Sequence, residues 1–204
     1  LIDGGTRGSR KLVLEYLEGQ KVDKLKYLVA SHPHEDHIGG LAHIIENKEI
    51  GQVIMPKATT NTRTFENLLD TIESKGLKIK AARSGDSYEL DGSLLTILGP
   101  NNEKYSNLNN YSVVLKLEFG EKSFLFTGDA ESMAEKEMIE IHGSRLRADL
   151  LKLGHHGSNT SSTEDFLDTV RPEYGIISAG QNNRYDHPDK EILDRLKTRG
   201  IKIY

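Results

Sequence analysis

Ser31-His32-Pro33-His34-Glu35-Asp36-His37-Ile38-Gly39-Gly40 follows directly on the apolar run Leu25-Lys26-Tyr27-Leu28-Val29-Ala30. Three of the chain's eight histidines fall between His32 and His37, together with two carboxylates. Imidazole and carboxylate are the usual protein ligands of zinc and similar divalent cations, so a cluster this dense reads as a metal-binding loop. The run before it reads as a buried strand that delivers His32 at its carboxyl end, where α/β architectures place their sites. Pro33 keeps the backbone extended, so His32 and His34, two residues apart, point the same way. Asp36 reads as the cap of a helix running from about His37 through Leu41, Ile44 and Ile45. His43 lies inside that helix without a partner in the motif and reads as a surface or structural histidine.

Working outward, Asp3 ends an apolar stretch and is followed by the turn Gly4-Gly5. Leu12, Val13, Tyr16 and Leu17 recur at helical spacing up to Gly19. Phe65, Leu68, Leu69 and Ile72 form a helix stripe that belongs to the core. Strands are expected around 52–55, 79–82, 88–90, 94–98, 112–119 and 123–126, the last running into Thr127-Gly128-Asp129. An acidic residue there is either a turn residue or a ligand. A helix over about 132–141 leads to the strand 149–153, which enters Gly154-His155-His156-Gly157-Ser158. The strand 174–178, a loop from Gly180 to Asp186, His187-Pro188 and a helix carrying Ile192, Leu193 and Leu196 complete the chain. The simplest packing of this order is two sheets face to face with helices outside.

At 204 residues the chain is read as one domain over 1–204. It opens without Met at Leu1-Ile2-Asp3 and closes on Ile201-Lys202-Ile203-Tyr204, so both ends read as trimmed strands. There is no cysteine, which excludes disulfides and thiolate metal sites. No apolar run approaches the ~20 residues that cross a bilayer. The net charge of −4 comes with no basic block, which argues against tight binding of long nucleic acid through many phosphate contacts and for recognition that is local and metal-centred.

His-x-His-x-Asp-His after a buried strand, followed later by Thr127-Gly128-Asp129, resembles the metallo-β-lactamase superfamily, an αββα sandwich (α+β, two packed mixed sheets with helices on the outer faces) of metal-dependent hydrolases. Within it the chain looks similar to the nuclease-type domain of the competence protein ComEC and its stand-alone bacterial relatives. That closer match rests on Leu1 to Gly5, Ser31 to Gly40, Asn109-Asn110-Tyr111-Ser112, Phe126 to Ala130, Lys152 to Ser158 and Tyr185-Asp186-His187-Pro188. The resemblance implies two divalent metal ions, zinc or manganese. His32 and His34 would hold the first, Asp36 and His37 the second, and Asp129 would bridge them. His155 or His156 is the first choice for the remaining ligand, with His187 as the competitor; the histidine left over would donate a proton to the leaving group. Asp3 would orient a ligand histidine by accepting its hydrogen bond. Many members carry a further histidine where this chain has Asn109 and Asn110, which leaves the first ion more open.

Two divalent cations sharing a carboxylate activate a bridging hydroxide and stabilise a leaving oxygen, chemistry suited to phosphodiesters. The expected function is therefore a metal-dependent phosphodiesterase or nuclease acting on DNA, with Asp36, His156 and His187 in the catalytic machinery. Asn110 and Ser158 are expected to donate hydrogen bonds to phosphate oxygens. The alternatives are a small-molecule esterase of the same fold, such as a phosphorylcholine esterase, and a non-catalytic metal-binding domain. The resemblance leans towards an extracellular or membrane-associated bacterial protein.

Overall fold

The computed structural model describes residues 1–181 and 183–204, so the expected loop from Gly180 to Asp186 lies partly outside the described residues. Contacts divide the chain into two units, Leu1–Ala82 and Arg83–Tyr204.

In the first unit, helix α1 (Arg10–Gly19) leads to strand β1 (Lys24–Val29), helices α2 (Glu35–Ile38) and α3 (Leu41–Asn47), strand β2 (Glu49–Met55), helix α4 (Arg63–Ser74) and strand β3 (Ile79–Ala81). The three strands form one sheet in the order β1-β2-β3, parallel throughout, with Leu28 opposite Val53 and Val53 opposite Ile79. Parallel strands need crossovers with a helix over the sheet, and such strands are apolar on both faces. Leu28, Val53, Ile38, Leu41, Ile44, Phe65, Leu68 and Ile72 accordingly pack into one buried cluster. Thr62 caps α4 by accepting the Phe65 N–H.

Two local readings change. The helix expected from His37 to Ile45 is broken in two at Gly39-Gly40, and Asp36 does not cap it: α2 begins at Glu35 after the extended residue His34. The break has a steric cause. Ile2 bridges Val29 in parallel, and the Asp3-Gly4-Gly5 turn lies against the two glycines, where Gly4 N–H donates to His37 O and Gly40 N–H to Gly5 O. A Cβ on Gly40 would sit 2.2 Å from the Gly4 carbonyl oxygen, and one on Gly39 2.4 Å from Arg7 N. Gly40→Ala is therefore expected to lower stability by about 1–3 kcal/mol through forced backbone movement. Gly19→Ala, with nothing within 4 Å of the added methyl, is expected to gain roughly 0.5–1 kcal/mol. Paired denaturant melts check both signs.

The second unit contains β4 (Ser87–Leu90), β5 (Ser93–Gly99), β6 (Val114–Phe119), β7 (Lys122–Phe126), helix α5 (Ser132–His142), β8 (Leu150–Lys152), helix α6 (Glu164–Val170), β9 (Tyr174–Ile176), helix α7 (Lys190–Thr198) and β10 (Lys202–Ile203). Its sheet runs β10-β9-β8-β7-β6-β5-β4. The meander β4 to β7 is antiparallel, whereas β7, β8, β9 and β10 are mutually parallel neighbours. Leu125, Leu151, Leu153, Phe166, Leu167, Val170, Ile192 and Leu196 form its core. Glu135 of α5 is buried there, and burial pushes its carboxyl up. The N–H and hydroxyl of Thr163, the Ser162 N–H and the Arg195 charge pull it the other way.

The chain is thus α+β with two sheets and helices, as expected. One detail is corrected: only the second sheet is mixed, and the first is wholly parallel.

Candidate metal centre

In the first unit the carboxyl end of β1 leads straight into Ser31 and His32, both fully buried. The Asp3 carboxylate organises the histidine loop from its first residue. Its Oδ1 accepts the Ser31 N–H at 2.7 Å, and its Oδ2 accepts the Ser31 hydroxyl at 2.8 Å and His37 Nδ1–H at 2.7 Å. Burial would raise this carboxyl; the hydrogen bond and charge of His37 and the Ser31 N–H outweigh it and hold the group below the ordinary carboxylate range. The proton of His37 is therefore assigned to Nδ1, which puts the lone pair on Nε2, 3.8 Å from Asp36 Oδ2. Ser31 Oγ, its own proton given to Asp3, accepts from His32 Nδ1 at 3.1 Å, so His32 also carries its lone pair on Nε2. That atom lies 2.9 Å from His34 Nδ1. Two nitrogens bound tetrahedrally to one zinc are about 3.3 Å apart, so this near approach suits a pair converging on one cation.

In the second unit the register does the gathering. Phe126, Lys152 and Ile176 lie side by side on parallel β7, β8 and β9, so the residues beyond them leave the sheet at one edge. Those residues are Asp129, the His155-His156 pair and Ser178. Asp129 is 2 % exposed, and its N–H donates to Ser112 Oγ at 2.9 Å. His156 Nδ1–H donates to the Ser178 carbonyl at 2.7 Å, which fixes its tautomer and directs Nε2 to within 3.5 Å of Asp129 Oδ2.

His155 is placed differently. Its Nδ1 lies 2.9 Å from Thr160 Oγ1 and 3.4 Å from Glu131 Oε1, and its Nε2 is 3.5 Å from Asn109 Nδ2. Burial pushes its imidazole below the ordinary value, against the Asp129 and Glu131 charges. The His187 ring meets it edge-on, 5.8 Å between centroids, and stacks on Tyr185 at 5.7 Å. Of the pair, His156 thus stands beside Asp129, whereas His155 reaches Thr160, Glu131 and Asn109.

Asn110 and Ser158, expected to reach substrate, are each 4 % exposed. Asn110 Oδ1 accepts the Glu131 N–H at the start of α5, and Ser158 Oγ lies 3.2 Å from Thr160 Oγ1. Through these atoms both bind protein. Sequence reading missed Glu131, which accepts from Asn107 and Asn109 and so braces the loop where many superfamily members carry a histidine. Its only signal is its position two residues after Asp129. His43 lies 3.7 Å from Glu46 and beside Asn47 on α3, as a structural histidine would.

A family described as the metallo-beta-lactamase superfamily matches residues 1–181. The chain belongs to that superfamily. It is 31% identical to ComE operon protein 3 of Bacillus subtilis over 95% of this chain and 25% of that protein. Competence protein ComA of Neisseria gonorrhoeae is 31% identical over 100% of this chain and 27% of its own length. The chain thus spans about a quarter of these relatives. Among solved structures, Tm1679, described as a metal-dependent hydrolase of the β-lactamase superfamily, superposes with a TM-score of 0.60 at 16% identity, covering 98% of this chain and 82% of that one. The fold is that of the metallo-β-lactamases, which implies divalent metal ions. The side chains present fit such ions, since every donor is an imidazole nitrogen or carboxylate oxygen and three of the histidines have their tautomers set by neighbouring groups. Among the described residues no helix is long and apolar enough to cross a membrane.

Proposed function

We propose that this chain is a dinuclear metal-dependent phosphodiesterase whose substrate is DNA, with residues 1–204 acting as one hydrolase domain. In this reading His32 and His34 would hold one ion, and Asp36, His37 and His156 the other, with Asp129 contributing to both. When bound, two such ions supply an activated water and clamp the oxygens of the phosphate. The chain's own residues do the rest. Asp3 holds the His37 proton on Nδ1 through its carboxylate, itself fixed by Ser31; the Ser178 carbonyl does the same for His156. His187, packed against His155, donates the proton to the departing oxygen. The carrying observation is the orientation of His37 by Asp3 and of His156 by Ser178, each presenting Nε2 beside a carboxylate. The DNA assignment draws on the competence proteins, at 31% identity over nearly the whole chain.

The test loads the protein with zinc or manganese and offers plasmid DNA, bis(p-nitrophenyl) phosphate and p-nitrophenyl phosphorylcholine, with and without chelator. Chelator-sensitive cleavage of DNA and of the diester is expected. Turnover of the phosphorylcholine ester alone would replace DNA by a small-molecule substrate, and metal binding without turnover would leave a binding domain. Asp3→Ala is expected to weaken metal binding about 10–100-fold, as loss of a histidine's orienting carboxylate does elsewhere. Competition with a metal-sensing dye reads this without any activity assay.

A further inference from the structure

The acidic chain has a concave place where positive charge is collected without being neutralised. A cavity of about 310 Å³ in the first unit is lined by Arg7, Arg10, Arg63, His43, Thr64 and Glu46 among others. Two arginines of the second unit, by contrast, are ion-paired: Arg195 with Glu191 and Glu164, and Arg199 with Glu164 and Asp168. Among the described residues the guanidinium groups of Arg7, Arg10 and Arg63 have no carboxylate partner. Of the two acids nearby, Glu35 accepts the backbone N–H of Arg7 at 2.8 Å, and Glu46, on the cavity wall, lies 3.7 Å from its neighbour His43. Arg10 is held in place by donating to the Arg7 carbonyl at 2.6 Å. Arg63 and Thr64 open α4, a twelve-residue helix, so its positive end adds to the same field. Guanidinium donors in a fork, a hydroxyl and a helix start together suit the oxygens of a phosphate group.

We propose that the Arg7–Arg10–Arg63 cavity is a phosphate-binding subsite that anchors a backbone phosphate of the DNA strand away from the one being cleaved. The inference rests on the phosphodiesterase reading above and supplies what the absence of a basic block leaves open. Ile38 and Gly39, which also line the cavity, follow His37 directly, so the anchor adjoins the histidine loop within its own unit. A membrane surface is the less suitable occupant. The exposed apolar residues of α1, Leu12 and Tyr16, lie roughly 200–240° around the helix from Arg10, so no apolar rim accompanies the charge.

The test compares the wild-type chain with Arg7→Gln/Arg10→Gln/Arg63→Gln and, separately, with Arg63→Glu, an exposed position where folding is not at stake. With metal removed by chelator, affinity for a fluorescent single-stranded oligonucleotide is measured from low to moderate salt. The triple variant is expected to bind about tenfold or more weakly, with a salt slope smaller by about 0.7, the value for one lost phosphate contact on a single strand. Arg63→Glu is expected to weaken binding in the same direction. With metal present, turnover of bis(p-nitrophenyl) phosphate, too small to span two sites, is expected to be unchanged. Unchanged oligonucleotide affinity and salt slope would overturn the proposal. So would an equal loss of diester turnover, which would move the arginines into the metal centre. Binding lost for phosphatidylglycerol vesicles and kept for the oligonucleotide would assign the cavity to lipid; inorganic phosphate competing as tightly as the strand would assign it to the free anion. Arginine-dependent strand binding without hydrolysis of any diester would sink the phosphodiesterase reading and leave the anchor standing.

Discussion

Asp129→Ala is expected to abolish turnover of a phosphodiester while leaving the chain folded. The residue is the proposed shared ligand, so its loss removes one donor from each ion at once. A bound cation contributes several kcal/mol of transition-state stabilisation, and about 4 kcal/mol corresponds to roughly a 10³-fold loss of rate. Metal content measured on the purified variant is expected to fall well below that of the wild type. The control is Asp129→Asn, which keeps the volume and one acceptor oxygen at a position that is 2 % exposed; melts of both variants separate lost chemistry from lost packing. Turnover within about tenfold of wild type, with metal content intact, would remove Asp129 from the shared position.

The parts of this fold that sequence reveals are those whose period is set by one face of burial. The stripe Phe65, Leu68, Ile72 is buried on α4 as its spacing dictates, and the run before His32 becomes β1, its last two residues buried. Periodicity misleads where two stripes compete on one helix. Leu12 and Tyr16 recur at helical spacing on α1 but are 70% and 66% exposed, and Leu17 is the buried residue there. The break between α2 and α3 is signalled only by the pair Gly39-Gly40, and what requires those glycines is the close approach of Arg7 N to the first and of the Gly4 carbonyl to the second. Helical backbone angles at both glycines show that their small size, rather than a left-handed conformation, is what the site uses.

At the candidate centre, ligand types were legible and their assignment was not. His32, His34, Asp36 and His37 come from a six-residue stretch, so local geometry alone constrains them. The choice between His155 and His156 depends on backbone that no alternation describes: both residues have positive φ, 47° and 56°. That left-handed turn is uncommon for side chains with a Cβ. It sends two adjacent imidazoles to different neighbours, one to Thr160 and the other to Ser178. The place of Asn110 is set in the same non-local way, since its oxygen accepts the Glu131 N–H at the start of α5.

The His155–His156 assignment carries the other large effect. His156→Ala is expected to weaken binding of the second ion by about two orders of magnitude or more, because the lost imidazole is one of four proposed donors and sits 3.5 Å from Asp129 Oδ2. His155→Ala is expected to leave metal content near that of wild type. Its ring reaches Thr160, Glu131 and Asn109, so its removal frees the Glu131 network and lowers turnover more than binding. The two variants thus differ in kind: one loses metal and with it rate, the other keeps metal and loses rate alone. Titration of each apo-protein with zinc against a competing chelator reads the difference directly. Metal loss in His155→Ala with retention in His156→Ala would invert the assignment and return His156 to the proton-donating role. Equal loss in both would mean that the left-handed turn, as a unit, holds the ion. A third variant, Gly157→Ala, tests that alternative without touching either ring: its Cβ would meet Pro188 at 2.7 Å and its φ of +84° disfavours any side chain. If the turn as a whole is the ligand scaffold, this substitution lowers metal affinity as much as His156→Ala does; if His156 alone is the ligand, held by its bond to Ser178, the loss is smaller.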